Sequence, residues 1–379
     1  MVWLFSLLTM KIAIVGTRGI PNNYGGFEQC AEYLSVILSS RGHDVIVYNT
    51  HYHPYTEPFF RGVKIKHVWN PEYTVGTAGN FIYDFLCMRD AVKEKADILL
   101  VLGYTTASVF FPLMRFGKSV LVTNMDGLEW RRDKWSDTVK KLALWFEKLG
   151  AKYSHHMVSD NEKIREYLLN AYGKDSTFIP YGCEPFANPN PKSLNGYGVE
   201  PGKYTILIAR MEAENNILMV LEGYAKSTTN EPLLVVGNMV TGYAQMLAHR
   251  FGNDKRIRFT GGIYNQEDLN NLRYYSKFYF HGHSVGGTNP SLLEAMASNV
   301  YIMAHGNEFN RAVLGNDAAF FTDSDTVAKL VDKFQRDTNV EAAISSNMMK
   351  VKEQYNWTRI ADQYEELFLK VIPNSSNKN

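Results

Sequence analysis

Cysteine is scarce in this chain: its 379 residues include only Cys30, Cys87 and Cys183, far apart and in no CxxC or Cys/His spacing. That excludes a disulfide framework and a structural zinc site, and it fits a reducing cytoplasm. A charge surplus is also missing. Forty Lys and Arg against 39 Asp and Glu leave +1, without the basic excess of nucleic-acid binders. No apolar run reaches the ~20 residues of a membrane span. The apolar opening from Met1 to Leu8 lacks a basic n-region and reads as an extension ahead of a start at Met10. No internal repeat of fixed short period is visible.

What is present suffices for a folded protein. Apolar residues make up 45% and aromatics 13%, and at roughly 100–200 residues per domain the length argues for two domains. Ile12-Ala13-Ile14-Val15-Gly16 is an apolar run ended by glycine, the pattern of a strand buried on both faces of a parallel sheet. A helical spacing from Glu28 to Ser40 and the run Val45–Tyr48 complete a βαβ unit. The alternation continues through strands at 63–68, 98–102, 119–124 and 156–159, with helices at about 82–95 and from Trp135 to Lys152. Residues 184–203 are rich in Pro, Gly and Asn and read as a linker.

A second α/β series follows, with strands at 204–209, 233–237, 257–260, 278–281, 300–304 and 319–321. The last helix spans about Trp357 to Val371, ahead of a polar tail from Asn374 to Asn379. The expected division is 1–185, 186–355 and a returning helix with its tail at 356–379. Such sheets bind ligands beyond the carboxyl ends of their strands, so chemistry is sought in the loops there.

Four loops carry candidates. Gly16-Thr17-Arg18-Gly19-Ile20-Pro21, running on to Tyr24-Gly25-Gly26-Phe27-Glu28, permits close approach of an anion or sugar. It is not a GxGxxG fingerprint, and a long connection that merely needs glycine is the competing reading. Asn124-Met125-Asp126-Gly127-Leu128-Glu129-Trp130 sets two carboxylates beside an indole. Asp126 either orients a hydroxyl and stabilises positive charge on a sugar ring or caps a turn, and Trp130 offers a stacking face. Arg210, after a strand, suits a diphosphate.

In His281-Gly282-His283-Ser284-Val285-Gly286-Gly287-Thr288-Asn289-Pro290, Thr288 or Asn289 is placed to cap a helix begun by Pro290. Amides at that helix start would then face phosphate oxygens, and Glu294 would accept from ribose hydroxyls. His281 and His283 lack a third ligand at metal spacing, and Asp323-Ser324-Asp325 reads as a helix cap.

Taken together and in order, these stretches, with Ile179-Pro180-Tyr181-Gly182, Arg210 with Glu214-Asn215-Asn216, and Gly286 through Met296, resemble glycosyltransferase family 4. The likeness is strongest to its bacterial rhamnosyltransferase-type subgroup and runs from about residue 10 to 370. It implies a GT-B fold of two Rossmann-like domains, with acceptor on the first, nucleotide-sugar donor on the second, and a C-terminal helix crossing back. It also implies retention of anomeric configuration.

By the same resemblance Asp126, Arg210 and Glu294 are the catalytic candidates: Asp126 beside the reacting centre, Arg210 on the diphosphate and Glu294 on the ribose. Gly25, Gly26, Asn215, His283, Gly286, Gly287, Thr288 and Asn289 would bind donor, and Glu28, Glu129 and Trp130 acceptor. Neither a metal nor a cofactor is expected, since Arg210 and helix amides stabilise the leaving phosphate. Two positions depart from the pattern. Many relatives carry Lys where this chain has Asn215, and Glu where it has Gly286. Loss of that Glu leaves room for a deoxy sugar such as rhamnose, with dTDP-rhamnose as the expected donor.

The segment after the Asp126 loop suggests an acceptor class. Trp135, Val139, Leu142, Phe146 and Leu149 form an apolar stripe, and residues 131–152 hold seven basic and three acidic side chains, 7 − 3 = +4. A basic amphipathic helix suits peripheral contact with an anionic membrane and a lipid-linked glycan acceptor; a packed stripe with a solvated basic face is the alternative. The expectation is a cytoplasmic enzyme of cell-surface polysaccharide synthesis. The competing functions are a nucleotide-sugar epimerase of the same fold, an NAD-dependent oxidoreductase and a non-catalytic sugar-nucleotide sensor.

Overall fold

The computed structural model describes residues 9–133 and 135–372. The apolar opening Met1 to Leu8, the tail from Asn374 and Lys134, one of the basic residues counted above, lie outside the described residues. The chain forms two compact units. The first holds the chain to Trp130, Val139–Pro180 and the chain from Trp357; the second holds Arg131–Thr138 and Tyr181–Asn356.

In the first unit the elements are β1 (Lys11–Val15), α1 (Gly26–Ser40), β2 (Asp44–Thr50), β3 (Phe59–Phe60), β4 (Val63–Val68), α2 (Glu72–Val75) and α3 (Gly79–Lys93). They continue with β5 (Ile98–Leu102), β6 (Val120–Asn124), α4 (Asp137–Tyr153), β7 (His156–Ser159), α5 (Glu162–Tyr172) and β8 (Thr177–Phe178). The sheet order is β3-β4-β2-β1-β5-β6-β7-β8, parallel except for β3 against β4.

The central strands β5 and β6 are buried at every residue. That is why they read as unbroken apolar runs instead of alternating ones. One side of the sheet packs Val15, Tyr48, Leu99 and Val101 against Tyr83, Cys87 and Met88 of α3. Gly16 turns the chain off β1 at φ +86, where a Cβ would stand 2.2 Å from the Leu102 carbonyl oxygen. Only glycine lets that turn lie against β5.

In the second unit come β9 (Thr205–Ile208), α6 (Ile217–Lys226), β10 (Leu233–Val236), α7 (Gly242–Phe251), β11 (Ile257–Gly261), α8 (Gln266–Tyr274) and β12 (Phe278–His281). After them follow α9 (Pro290–Met296), β13 (Tyr301–His305), α10 (Glu308–Leu314), β14 (Ala319–Phe321), α11 (Ser324–Lys333) and α12 (Thr338–Glu353). The order β11-β10-β9-β12-β13-β14 is parallel throughout. Most of its helices start where a short polar side chain accepts an orphan amide: Thr241 from Ala244, Asn265 from Glu267, Asn307 from Phe309, Asp323 from Thr326 and Asp337 from Asn339. Leu207, Val235, Phe278, Phe280 and Met303 form the centre of the core.

The last helix, α13 (Trp357–Val371), belongs to the first unit. Trp357 stacks on Tyr33 of α1 with centroids 4.7 Å apart. Arg41 reaches Asp362 at 2.6 Å and also pairs with Glu365, whose other oxygen meets His43 Nε2 at 2.8 Å. A doubly wound α/β pair with a returning terminal helix is the architecture expected.

Two local expectations are corrected. α4 begins at Asp137 and not at Trp135, and its buried face is Ala143, Phe146, Glu147, Gly150 and Ala151. Val139 and Leu142, expected in the packed stripe, are 38% and 46% exposed. The small residues win because they permit close approach: a Cβ on Gly150 would lie 3.2 Å from Met125 Cε. The helix itself keeps Lys140, Lys141, Lys148 and Lys152 against Asp137 and Glu147, 4 − 2 = +2 rather than +4. The stretch 184–203 is not a free linker either. Leu194 is buried, Asn190 N–H donates to Asn271 at 2.7 Å and Gly202 N–H to the Tyr275 carbonyl at 2.8 Å.

Candidate functional site

In the second sheet the order reverses between β9 and β12, and in the first between β1 and β5. The loops leaving such neighbouring strands diverge and open a crevice at their carboxyl ends. The candidates follow these strands, except Asp126, Glu129 and Trp130, which follow β6.

In the second unit Arg210 leaves β9 with its side chain 64% exposed and its nearest carboxylate, Glu212, 4.0 Å away. Its guanidinium is available to a ligand. Asn215 is not open in the same way. It is 5% exposed, its amide nitrogen donates to the Arg210 carbonyl at 2.7 Å, and its Oδ1 meets His283 Nδ1 at 2.6 Å. Asn307 and Asn310 both donate to the His283 carbonyl at 2.9 Å.

Burial pushes His283 down to about 3, with the Arg132 and Arg210 cations acting in the same direction and the Val285 backbone against it. Its imidazole is neutral at ordinary pH. His281 is buried and held far below its usual value, chiefly by burial, and its Nε2 has no partner among the described residues. Among the described residues no group of three or more His, Cys, Asp or Glu gathers that could hold a metal ion.

Gly286 turns at φ +116, and Gly287 and Thr288 are buried. Asn289 caps α9, its side chain accepting from Ser291 N–H at 2.9 Å. Glu294 is not a free carboxylate: its Oε2 pairs with Nη2 of Arg273, a side chain 1% exposed. Arg273 Nη1 donates to Asn270 at 3.0 Å, while its Nε has no partner among the described residues. Nothing local singles out Arg273 in the sequence. It gains meaning only when β12 and α9 bring Glu294 against α8.

In the first unit Glu28 is 3% exposed, with one oxygen accepting from Arg18 N–H at 2.9 Å. Burial raises its pKa. It closes the loop it belongs to. Arg18 pairs with Glu72 at 2.5 Å and lies 3.7 Å over the ring of Tyr24. Gly25 and Gly26, half-buried, start α1. Asp126 is half-buried after β6. Burial, with Asp126 and Asp160 acting in the same direction, pushes the Cys30 thiol up to about 12, so this cysteine is inert.

Glu129 and Trp130 open a short 3₁₀ turn. Trp130 Nε1–H donates to Glu147 Oε2 at 3.1 Å, and its ring tilts on Tyr167 with centroids 6.2 Å apart. Glu147, 1% exposed, also accepts from Tyr104 at 3.2 Å and from Tyr167 and Tyr172 at 2.6 Å each. Sequence reasoning counted Glu147 as one acid on a basic helix. Its place between Phe146 and Gly150 on the buried face was the overlooked signal.

The second unit meets known proteins here: residues 195–351 match the family model described as Glycosyl transferases group 1. Residues 9–184 match one described as Domain of unknown function (DUF1972). No curated protein matches the chain significantly. Among solved structures the fold is similar to a glycosyltransferase from Rickettsia africae, at TM-score 0.74, 14% identity, and 97% and 100% of the two chains covered. It is also similar to sucrose-phosphate synthase from Thermosynechococcus elongatus, at 0.78, 14%, 95% and 98%. A third is Anabaena HepE in complex with UDP-glucose, at 0.74, 14%, 96% and 100%.

The class that fold and matched domain define is the GT-B glycosyltransferase. The chain is a glycosyltransferase.

Proposed function

We propose that this enzyme moves a hexosyl group, L-rhamnose from dTDP-rhamnose, to a glycan acceptor with retention of anomeric configuration, in cell-surface polysaccharide synthesis. The observation that carries the donor assignment is Arg210, a cation 64% exposed at the sheet's reversal point with no carboxylate of the described residues closer than 4.0 Å. Its guanidinium neutralises the departing diphosphate. Glu294, oriented by Arg273, accepts from the ribose; Gly286 to Asn289 line the sugar and phosphate; Asp126 stands by the reacting carbon. The reaction needs neither metal nor cofactor on this reading. Anabaena HepE, of similar fold, is described in complexes with UDP-glucose, with UDP and glucose, and with UDP.

The acceptor is lipid-linked on the same reading, and the enzyme lies peripherally on the inner face of the cytoplasmic membrane. What supports this is the outer face of α4, where Val139, Leu142 and Trp145 are 38%, 46% and 47% exposed beside exposed Lys141, Lys148 and Lys152. Such a face suits an anionic surface. No helix among the described residues is long and apolar enough to cross a membrane.

The test is a thermal-shift panel of nucleotide sugars followed by a nucleotide-release assay with glycan acceptors. A ligand at 100 times its Kd adds about 2.7 kcal/mol. dTDP-rhamnose raising Tm and releasing dTDP only with acceptor is the expected result; no response to any nucleotide sugar defeats the donor reading. Sedimentation with anionic vesicles at low salt tests the membrane contact, and absence of binding removes it.

A further inference from the structure

Three loops meet at the carboxyl ends of β1, β2 and β4 in the first unit. Thr50 N–H donates to the Arg18 carbonyl at 3.0 Å and His51 N–H to the Val68 carbonyl at 2.8 Å, so the chain leaving β2 is held against both neighbours. Glu72 joins the three through its side chain. Its Oε1 pairs with Arg18 Nη2 at 2.5 Å, and its Oε2 accepts from Arg18 Nε at 3.3 Å and from the Tyr52 hydroxyl at 2.9 Å. Buried Asn70 fixes Glu72 in turn, its Oδ1 accepting from Glu72 N–H at 2.9 Å.

Two aromatic rings are mounted on this frame and left in solvent. Arg18 lies 3.7 Å over the ring of Tyr24, which is 64% exposed. Tyr73 meets Tyr52 with centroids 4.4 Å apart and is 83% exposed. Each ring is held by a cation or a second ring and still presents most of its surface outward. Exposed apolar surface rimmed by polar groups marks a ligand groove.

The chemistry of the frame fits a carbohydrate. A pyranose carries C–H groups on its faces, which suit the negative face of an aromatic ring, and hydroxyls on its rim, which suit a carboxylate and a guanidinium. The position sets the length of chain. With strands about 4.8 Å apart, the end of β1 is about 10 Å from the end of β6, where Asp126 follows, and the end of β4 about 19 Å. A sugar ring beside Asp126 does not span that distance; the rings behind it in a chain do.

We infer that Tyr24 and Tyr73, held by the Arg18–Glu72 pair, form a subsite for the sugars behind the one that is glycosylated, so that the enzyme extends an oligosaccharide and not a single sugar. The inference rests on the glycan-acceptor reading above and adds to it the length of the acceptor and the residues that read that length.

The probe is an array of defined bacterial surface-glycan fragments, from single sugars to chains of several rings, with the tightest binder then titrated calorimetrically. Wild type, Tyr24→Ala, Tyr73→Ala and Tyr73→Phe are compared, all checked for native circular dichroism and an unchanged melting temperature. Wild type is expected to bind a chain of several rings more tightly than the single sugar at its end. Tyr24→Ala and Tyr73→Ala should each weaken the chain by about threefold to tenfold. Tyr73→Phe, which retains the ring, should bind as wild type does. Equal binding of chains and single sugars, or alanine variants that bind the chain as wild type does, overturns the inference and leaves the glycan-acceptor reading standing. A wild type that binds no fragment overturns that reading, and this inference with it.

Discussion

The indole Nε1–H of Trp130 is held at 3.1 Å by Glu147 Oε2, a carboxylate 1% exposed that also takes hydrogen bonds from three tyrosines. One side chain of α4 thereby ties the end of the Asp126 loop to α5 and to the segment after β5. A buried carboxylate survives there because its acceptor positions are filled.

Removing that acceptor should loosen the loop before it touches chemistry. Glu147→Ala leaves four buried or half-buried donors without their partner and should cost about 3 kcal/mol or more. Glu147→Gln, which retains an amide oxygen, should cost less. Urea denaturation of both variants checks the order, and equal stability of Glu147→Ala and wild type contradicts it.

Arg210→Ala is expected to fold normally and to fail in transfer. The side chain is 64% exposed and makes no close ion pair among the described residues, so stability should move by less than about 0.5 kcal/mol. Loss of a charge-stabilising donor in the transition state costs about 100- to 1,000-fold in kcat. Nucleotide release by the variant at the wild-type rate would take Arg210 out of the mechanism.

Arg273 and Glu294 form a buried pair whose halves depend on each other. Arg273→Leu leaves a mostly buried carboxylate without its cation and should destabilise by about 3–5 kcal/mol. Adding Glu294→Gln to it should restore much of that stability while donor binding stays weak. A double variant no more stable than the single would show that the pair is not coupled; thermal denaturation decides.

Stability should also respond to pH through two carboxyls of opposite sign. Burial raises Asp84 to about 7, against a lowering bond from Thr106. The folded state therefore holds a proton that the unfolded chain has lost, and stability falls as pH rises from about 4 to about 7. Asp84→Asn should abolish that fall, an effect on the order of 4 kcal/mol at most. Glu365 moves the other way. Burial raises it, but the His43 and Arg41 contacts outweigh burial and hold it below the usual value. Its contribution is present above the unfolded pKa of about 4.3 and disappears as pH drops through the lower folded one. Denaturant midpoints of wild type, Asp84→Asn and Glu365→Gln across pH 3–8 test both signs.

The sequence alone determined the series of elements and the loops that matter. Continuous apolar runs such as Ile98–Leu102 and the cap at Asn289 are local patterns, governed by neighbours a few residues apart, and they appear in the structure as strand and helix start. The buried face of α4 was misread because Trp135 and Leu142 are more apolar than Ala143 and Gly150, while packing rewards the smaller residues where Met125 and Tyr104 come close.

Only the tertiary structure decided which candidates meet. Asn215 and His283 stand 68 residues apart and Arg273 and Glu294 21 apart. Each pair exists because β9 lies beside β12 and α8 beside α9. No period of 2 or 3.6 residues encodes such a neighbour, since strand order is set by the burial of whole sheets. The same ordering turned Glu28 inward, tied Trp130 to Glu147 and left Arg210 exposed.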